Sequence, residues 1–454
     1  MNKIYFFIVV LSVITVQLSL SQNHKGEMLL PVRLETPAPI QIDVIAGIEN
    51  VKDITLQEIA SDISYVKLED HPCLRQLLNV SMIDDYFLIN TIDGVYLFGL
   101  DGKFVRQFIN NQTDFQEQPL SDGSGRIFRG FSYLDGIANS WYSSNKMQLK
   151  SFSYYTDGSN SSRRAGYKID NIAEISVKDN KEIPQISSIY EKSVPLSWSI
   201  ASERFSFESS DIPVGFGDDF IATFYYLTPV GIELITFNNE GDTLCRFPIF
   251  SSMKNLGFTP HNPPAEMHYY YHDRYTFRHL YNDTVFRILS PNIIQSAYIL
   301  NFGKYSLTFD AAFHRPNELK DYMMCSVLCE DDQYLYLRFN HGFDSPKNRE
   351  EDIVKFWWGL YQKSTGNFSV LPVNSSKPND KGINNDIDGG MPFWPESVDN
   401  QGRRIALKSG KLIRNMLTDK WFENSKASSP EKKELLEQFV KTLTDTDNVI
   451  IIVK

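Results

Sequence analysis

Across residues 77–108 the chain alternates short apolar runs with polar turns: LLNVSMIDDYFLINTIDGVYLFGLDGKFVRQF. Asp84-Asp85 stands before the run 86–89, Asp93-Gly94 before 95–98, and Asp101-Gly102 before Phe104-Val105. Aromatic and β-branched runs of this length, cut by Asp-Gly, predict antiparallel strands joined by tight hairpins.

Weaker copies of the unit follow. One spans 128–155, with strands expected at 130–134, 137–142 and 147–155. Another spans 183–250, with strands at 220–226 and 232–237 and a turn at 239–242. A fourth begins near Met267 and turns at Asn282-Asp283. A fifth covers 325–373, where Asp331-Asp332 precedes Tyr334 as Asp84-Asp85 precedes Tyr86, and a sixth covers 392–417. Three or four strands in about 40 residues match one blade of a β-propeller. The expected fold is therefore all-β, a six-bladed β-propeller over 51–425. A lead-in at 22–50 carries one strand at 40–45, and 110–126 and 156–164 are expected loops.

The tail has a different period. Ser429-Pro430 is a helix start, and Leu435, Leu436, Phe439, Val440 and Leu443 recur at helical spacing. The run 449–453 is a final strand, so residues 426–454 are expected to form a short C-terminal helix and a closing strand. A ring that left its last edge open would expose backbone donors and acceptors, so this strand is expected to pair near the N-terminal segment.

Composition adds compartment and excludes one partner class. The first 21 residues carry Lys3, an apolar run over 4–16 and the small residues Ser19 and Ser21, the pattern of a signal peptide cleaved after Ser21. No later run is long and apolar enough to span a membrane as a helix. The first cysteine is Cys73, which disfavours a lipid-anchored start. A formal charge of −11 argues against nucleic acid, whose phosphates need clustered cations. The pairs Arg163-Arg164 and Arg403-Arg404 read as solvated loop residues. Cys325 and Cys329 stand about 13 Å apart along one strand, too far to bridge. With Cys73 and Cys245 they read as buried thiols, although four cysteines leave three pairings open.

Several motifs in order carry a resemblance: Ile54-Thr55-Leu56, the stretch 62–69 (DISYVKLE), the stretch 281–286 (YNDTVF), the stretch 385–390 (NDIDGG) with Phe393-Trp394-Pro395, and Asp447-Asn448-Val449. The chain resembles the six-bladed β-propeller family of secreted and periplasmic Gram-negative bacterial proteins, largely of unknown function. The likeness runs from about residue 50 to the end. It implies a propeller in the periplasm or at the cell surface and assigns no catalytic residues.

Candidate chemistry is sparse. Glu266, His268, Arg274, Arg278 and Tyr281 mix acid, base and cations in one stretch, and in a propeller they would line the mouth of the central channel. Trp394, like Trp357-Trp358, offers a plane on which a sugar ring stacks, against the alternative of packing between blades. Asn384, Asp386 and Asp388 stand at positions 1, 3 and 5 of a calcium-loop pattern with Gly389 at 6. Position 12 is Pro395 instead of a bidentate Glu, so the competing reading is a turn capped by its own side chains. His268 and His272 on a strand lie about 13 Å apart, too far to share an ion. No nucleophile elbow of the form G-x-S-x-G occurs.

The expectation is thus an exported, non-catalytic propeller binding a glycan, peptide or protein partner in the cell envelope, with no cofactor unless calcium fills the 384–388 loop. The alternative is a propeller hydrolase or lyase. Convergence of Glu266, His268, Arg274 and His341 on one pocket would favour it.

Overall fold

The computed structural model describes residues 28–454 except 111–117, 120–124, 129–140, 158–163, 177–184, 192–194, 200–213, 217–219, 228–230, 251–266, 308–319, 343–347, 372–381 and shorter stretches, and describes no side chains over 108–219. The molecule is mostly β, a propeller-like arrangement of small sheets. Four sheets have four strands each. The first comprises Leu77–Ile83, Tyr86–Thr91, Gly94–Gly99 and Phe104–Asn110, as the hairpin pattern predicts. Gly102 sits at φ 79°, and a Cβ there would lie 2.0 Å from the Lys67 carbonyl oxygen, so the Asp101-Gly102 turn admits only glycine against its neighbour sheet.

The sheet of Met323–Glu330, Tyr334–His341, Lys355–Gln362 and Asn367–Leu371 matches the expected fifth unit. The sheet of Val214–Phe216, Ile221–Leu227, Gly231–Phe237 and Thr243–Phe250 matches only the second half of the expected third unit. The remainder of that unit, Gln185–Glu191 and Pro195–Ser199, pairs instead with Arg164–Ser176 in a seven-stranded sheet. The reason is length: Lys146–Asp157 and Arg164–Ser176 run 12 and 13 residues, so each has room for more than one short partner. The strand expected at 130–134 and most of that at 137–142 lie outside the described residues.

The fourth four-stranded sheet joins the two ends of the chain. Its order is Ser397–Val398, Arg404–Ser409, Asn448–Val453 and Ile63–Lys67, so the last strand pairs on one side with Ile63–Lys67. The expected closure is thus present. The 410–417 part of the expected sixth unit is helical, however. Ser409 caps the helix Gly410–Met416 by accepting from the Leu412 N–H, and a second helix, Asp419–Asn424, follows. The C-terminal helix is Pro430–Thr442.

The sixth sheet has four antiparallel strands, Met267–Tyr271, Arg274–Arg278, Thr284–Ser290 and Ile293–Asn301, and two lead-in strands added in parallel to the last of these. The lead-in strand stops at Asp43, whose Oδ1 accepts from the Ala46 N–H and starts the helix Val44–Glu49.

Neighbouring sheets pack face to face through shared apolar clusters. Phe87, Phe98 and Leu68 meet Ile405 and Ile450; Tyr336 and Trp358 meet Ala406 and Ile451; Leu337 and Phe339 meet Tyr298 and Phe302; Phe247 and Leu234 meet Phe277 and Phe286. Five sheets therefore follow one another as stacked blades do. Cys245, Cys325 and Cys329 are buried thiols without a disulfide, and Cys73 lies outside the described residues.

Candidate functional site

Charge converges where the 323–371 sheet meets the 267–301 sheet and the closing sheet. Glu330 ends the strand Met323–Glu330 with its side chain fully buried. Its Oε1 accepts from Arg287 Nη2 at 2.6 Å and Tyr298 OH at 2.7 Å, and lies 2.6 Å from Lys363 Nζ. Its Oε2 accepts from Tyr269 OH at 2.6 Å. A buried carboxylate is tolerated only with donors and counter-charge, and here four groups from two hairpins and one turn supply them.

The following turn is built by Asp331. Its Oδ1 accepts from the Gln333 and Tyr334 N–H groups, both at 2.7 Å, a side-chain-capped turn. Its Oδ2 accepts from Tyr336 OH at 3.0 Å and Arg404 Nε at 2.7 Å, and Arg404 Nη1 donates to the Ile59 carbonyl at 3.1 Å. Arg403 is held in turn by Asp399. The reading of Arg403-Arg404 as solvated is corrected: both are buried, because the stacked blades remove Asp331 and Asp399 from water and each needs a cation.

Burial raises the Tyr269 and Tyr336 hydroxyls well above their ordinary value, helped by Glu330 and Asp331 respectively, so both remain protonated donors. Burial lowers the Lys363 pKa, with Glu330 working against it. Burial works against the Arg287 cation too, but Glu330 more than offsets this and its pKa is raised.

Over this network lies a cavity of about 500 Å³ lined by Asp332, Gln333, Tyr334, Gln362, Lys363 and Ser364. The neighbouring hairpin turn overhangs its rim. Tyr271 OH donates to Asp332 Oδ1 at 3.3 Å, and His272 Nε2 lies 2.8 Å from the same oxygen. Lys363 Nζ sits 4.0 Å from the Tyr271 ring centroid and also donates to the Asp331 carbonyl. Its three N–H bonds thus face Glu330, Asp331 and an aromatic ring. Asp332 is the carboxylate left open to solvent here; Gln333, Gln362 and Ser364 supply amides and a hydroxyl.

Of the described residues singled out from sequence, His272 and Arg274 lie at this end, His272 against Asp332 and Arg274 exposed and paired in register with Tyr271. Arg278 is at the far end of the same strand, buried, 3.1 Å from Asp283 and under Phe302. Glu266 and Tyr281 lie outside the described residues, as does the side chain of His268. His341 ends the strand that Tyr334 begins, about 23 Å away, with its ring against Tyr305. Trp394 is a core residue, edge-on to Tyr336, and offers no open face.

The 384–388 oxygens point to separate partners. Asp386 Oδ1 accepts from the Gln57 N–H at 3.0 Å; Asp388 Oδ1 accepts from the Gly390 N–H at 2.9 Å and Asn385 Nδ2 at 2.7 Å; Asn384 is exposed. That is the capped turn. Among the described residues no group of three His, Cys, Asp or Glu side chains could hold a metal ion. Asp331-Asp332 had been visible as a turn signal, but Glu330, Arg287 and Lys363 had no local signal, because only the stacking of blades brings them together.

Residues 30–419 match the family described as a domain of unknown function, DUF4933. The chain belongs to that family. No curated protein matches it. Among solved structures this DUF4933 chain is similar to a Bacteroides fragilis protein described as exported, at 13% identity and a TM-score of 0.50, covering 92% of this chain and 99% of that one. It is similar also to a DUF4221 family member from Bacteroides vulgatus, at 9% identity and a TM-score of 0.40, covering 87% and 97%. Virginiamycin B lyase from Staphylococcus aureus stands at 10% identity and a TM-score of 0.29, covering 69% and 90%. At such identities the likeness to the Bacteroides fragilis protein is one of fold alone.

Proposed function

We propose that this DUF4933 protein is exported to the periplasm or cell surface, that its six sheets are six blades of one ring, and that it binds a neutral glycan without turning it over. The cavity at Asp332 is the binding site. One observation carries the reading: among the described residues the cation that lines the cavity, Lys363, is committed to Glu330, Asp331 and a tyrosine ring, so the lining groups left for a ligand are a carboxylate, two amides and a hydroxyl. That set suits paired hydroxyls and repels an anion. Support for export comes from the 1–21 pattern, from the exported Bacteroides fragilis fold relative, and from the described helices, none of which is long and apolar enough to cross a membrane.

The test is thermal shift and calorimetry of residues 22–454 with neutral and acidic oligosaccharides. A ligand at a hundred times its Kd adds about 2.7 kcal/mol of stability. A neutral sugar should raise Tm, an acidic one should not, and Asp332→Ala with Gln362→Ala should abolish the rise. No shift with any neutral sugar sinks the reading in favour of a peptide or protein partner. A shift that survives both substitutions places the site elsewhere.

A further inference from the structure

The lead-in crosses several sheets along their outer edges. The Leu29 N–H donates to the Leu244 carbonyl at 2.7 Å. Val32–Leu34 and Ile40–Asp43 then pair in parallel with Ile293–Asn301, the last strand of its sheet. The helix Val44–Glu49 lies against the Asn367–Leu371 strand, where a Cβ on Gly47 would sit 2.4 Å from the Phe368 ring. The Lys52 N–H donates to the Val370 carbonyl, and the Leu56 N–H to the Asn384 carbonyl.

Anchoring along this strap is uneven. From 28 to 41 not one residue is buried and Leu30, Val32 and Ile40 are exposed; besides backbone pairing, this stretch is held by half-buried Leu29 against the Phe247 cluster, by Arg33 over the Phe286 ring and by the Ser296 hydroxyl donating to Glu35. From 42 onward Ile42, Val44 and Gly47 are buried in the cluster formed with Tyr298, Phe339 and Val370. Backbone pairing with little apolar burial marks the low end of local stability. By contrast the Asn448–Val453 strand is buried over 449–453.

We infer that residues 28–41 are a releasable strap, and that the edge of Ile293–Asn301 it vacates accepts the lead-in of a second copy. The occupant follows from fit: a lead-in already matches that edge in two runs, Val32–Leu34 opposite 293–295 and Ile40–Asp43 opposite 298–301. An edge left open is a template for pairing with another chain, so strand exchange keeps it covered. This inference stands apart from the sugar site.

Hydrogen exchange of the mature chain tests release. The amides of 32–34, 40–41 and the outer amides of 293–301 should exchange together, at least about tenfold faster than those of 448–453. Equal protection of the two groups overturns release. Acceptance is tested by adding a fluorescent peptide of residues 28–41 to the mature protein. Its anisotropy should rise and saturate at one peptide per chain, and the same peptide carrying Val32→Pro, which removes the N–H that donates to the Asn292 carbonyl, should bind at least about tenfold more weakly. No binding of the natural peptide, or equal binding of the Val32→Pro peptide, overturns acceptance.

Discussion

At the scale of single residues, Glu330 carries the heaviest electrostatic demand in the described molecule. Its carboxylate neutralises Arg287 and Lys363 and receives two tyrosine hydroxyls at full burial. Glu330→Ala would leave two cations without a counter-charge and two hydroxyls without their acceptor. Breaking a buried pair in this way costs about 3–5 kcal/mol, to be read from urea unfolding. A loss below about 1 kcal/mol would mean that water reaches the pair, as it does at surface bridges. Dipeptide patterns mislead at this scale. Arg403-Arg404 looks like a solvated basic pair, yet both side chains are inside, because the partner of each cation is a carboxylate that blade stacking has dried. Trp394 shows the converse: an aromatic beside Gly-rich sequence resembles a binding plane but fills a core.

At the scale of elements, the Asn448–Val453 strand is the join. It lies between Arg404–Ser409 and Ile63–Lys67, and residues 449–453 are all buried. Truncation after Thr444 removes it and opens two edges at once. We expect the truncated chain to lose its cooperative thermal transition or to melt several degrees lower, since a loss of several kcal/mol moves Tm by about 1 °C per kcal/mol in a chain of this size. An unchanged Tm would show that the strand is ornamental. This element was legible because its signal is local: a polar helix cap, a helical period, then five apolar residues. The helices Gly410–Met416 and Asp419–Asn424 carried signals too, in the caps Ser409 and Thr418. They were overridden by the expectation of a strand continuing a blade. The parallel pairing of the lead-in had no signal, since an extended apolar run does not name its partner.

At the scale of the whole molecule, one ion pair ties the C-terminal helix to the closing sheet, a second joins neighbouring strand ends within that sheet, and together they set an acid limit. Lys432 bonds Asp62 and lowers its pKa; burial alone would raise Asp447, but Lys67, at 2.9 Å, and the Thr444 N–H outweigh it and its pKa is lowered. A carboxyl with a lowered folded pKa adds stability that is fully present above the unfolded value of about 3.9 and is lost as pH falls through the folded value. Asp447→Asn should therefore lower Tm at pH 7, with the gap to the unsubstituted protein closing as pH is taken below the usual carboxylate range. A gap that stays constant with pH would show that the carboxyl charge contributes nothing. The hairpins of the 77–110 and 323–371 sheets and the C-terminal helix were legible in sequence, because period, turn residues and caps act within a few tens of residues, and the pairing of the final strand near the start of the chain followed from the need to cover its edge; the pairing of 185–199 with Arg164–Ser176 was not legible. The site was decided by tertiary structure. Arg287, Glu330, Lys363 and Arg404 come from separate hairpins, and whether such a charge stays in water or neutralises a buried partner depends on burial, which exists only once the sheets are stacked.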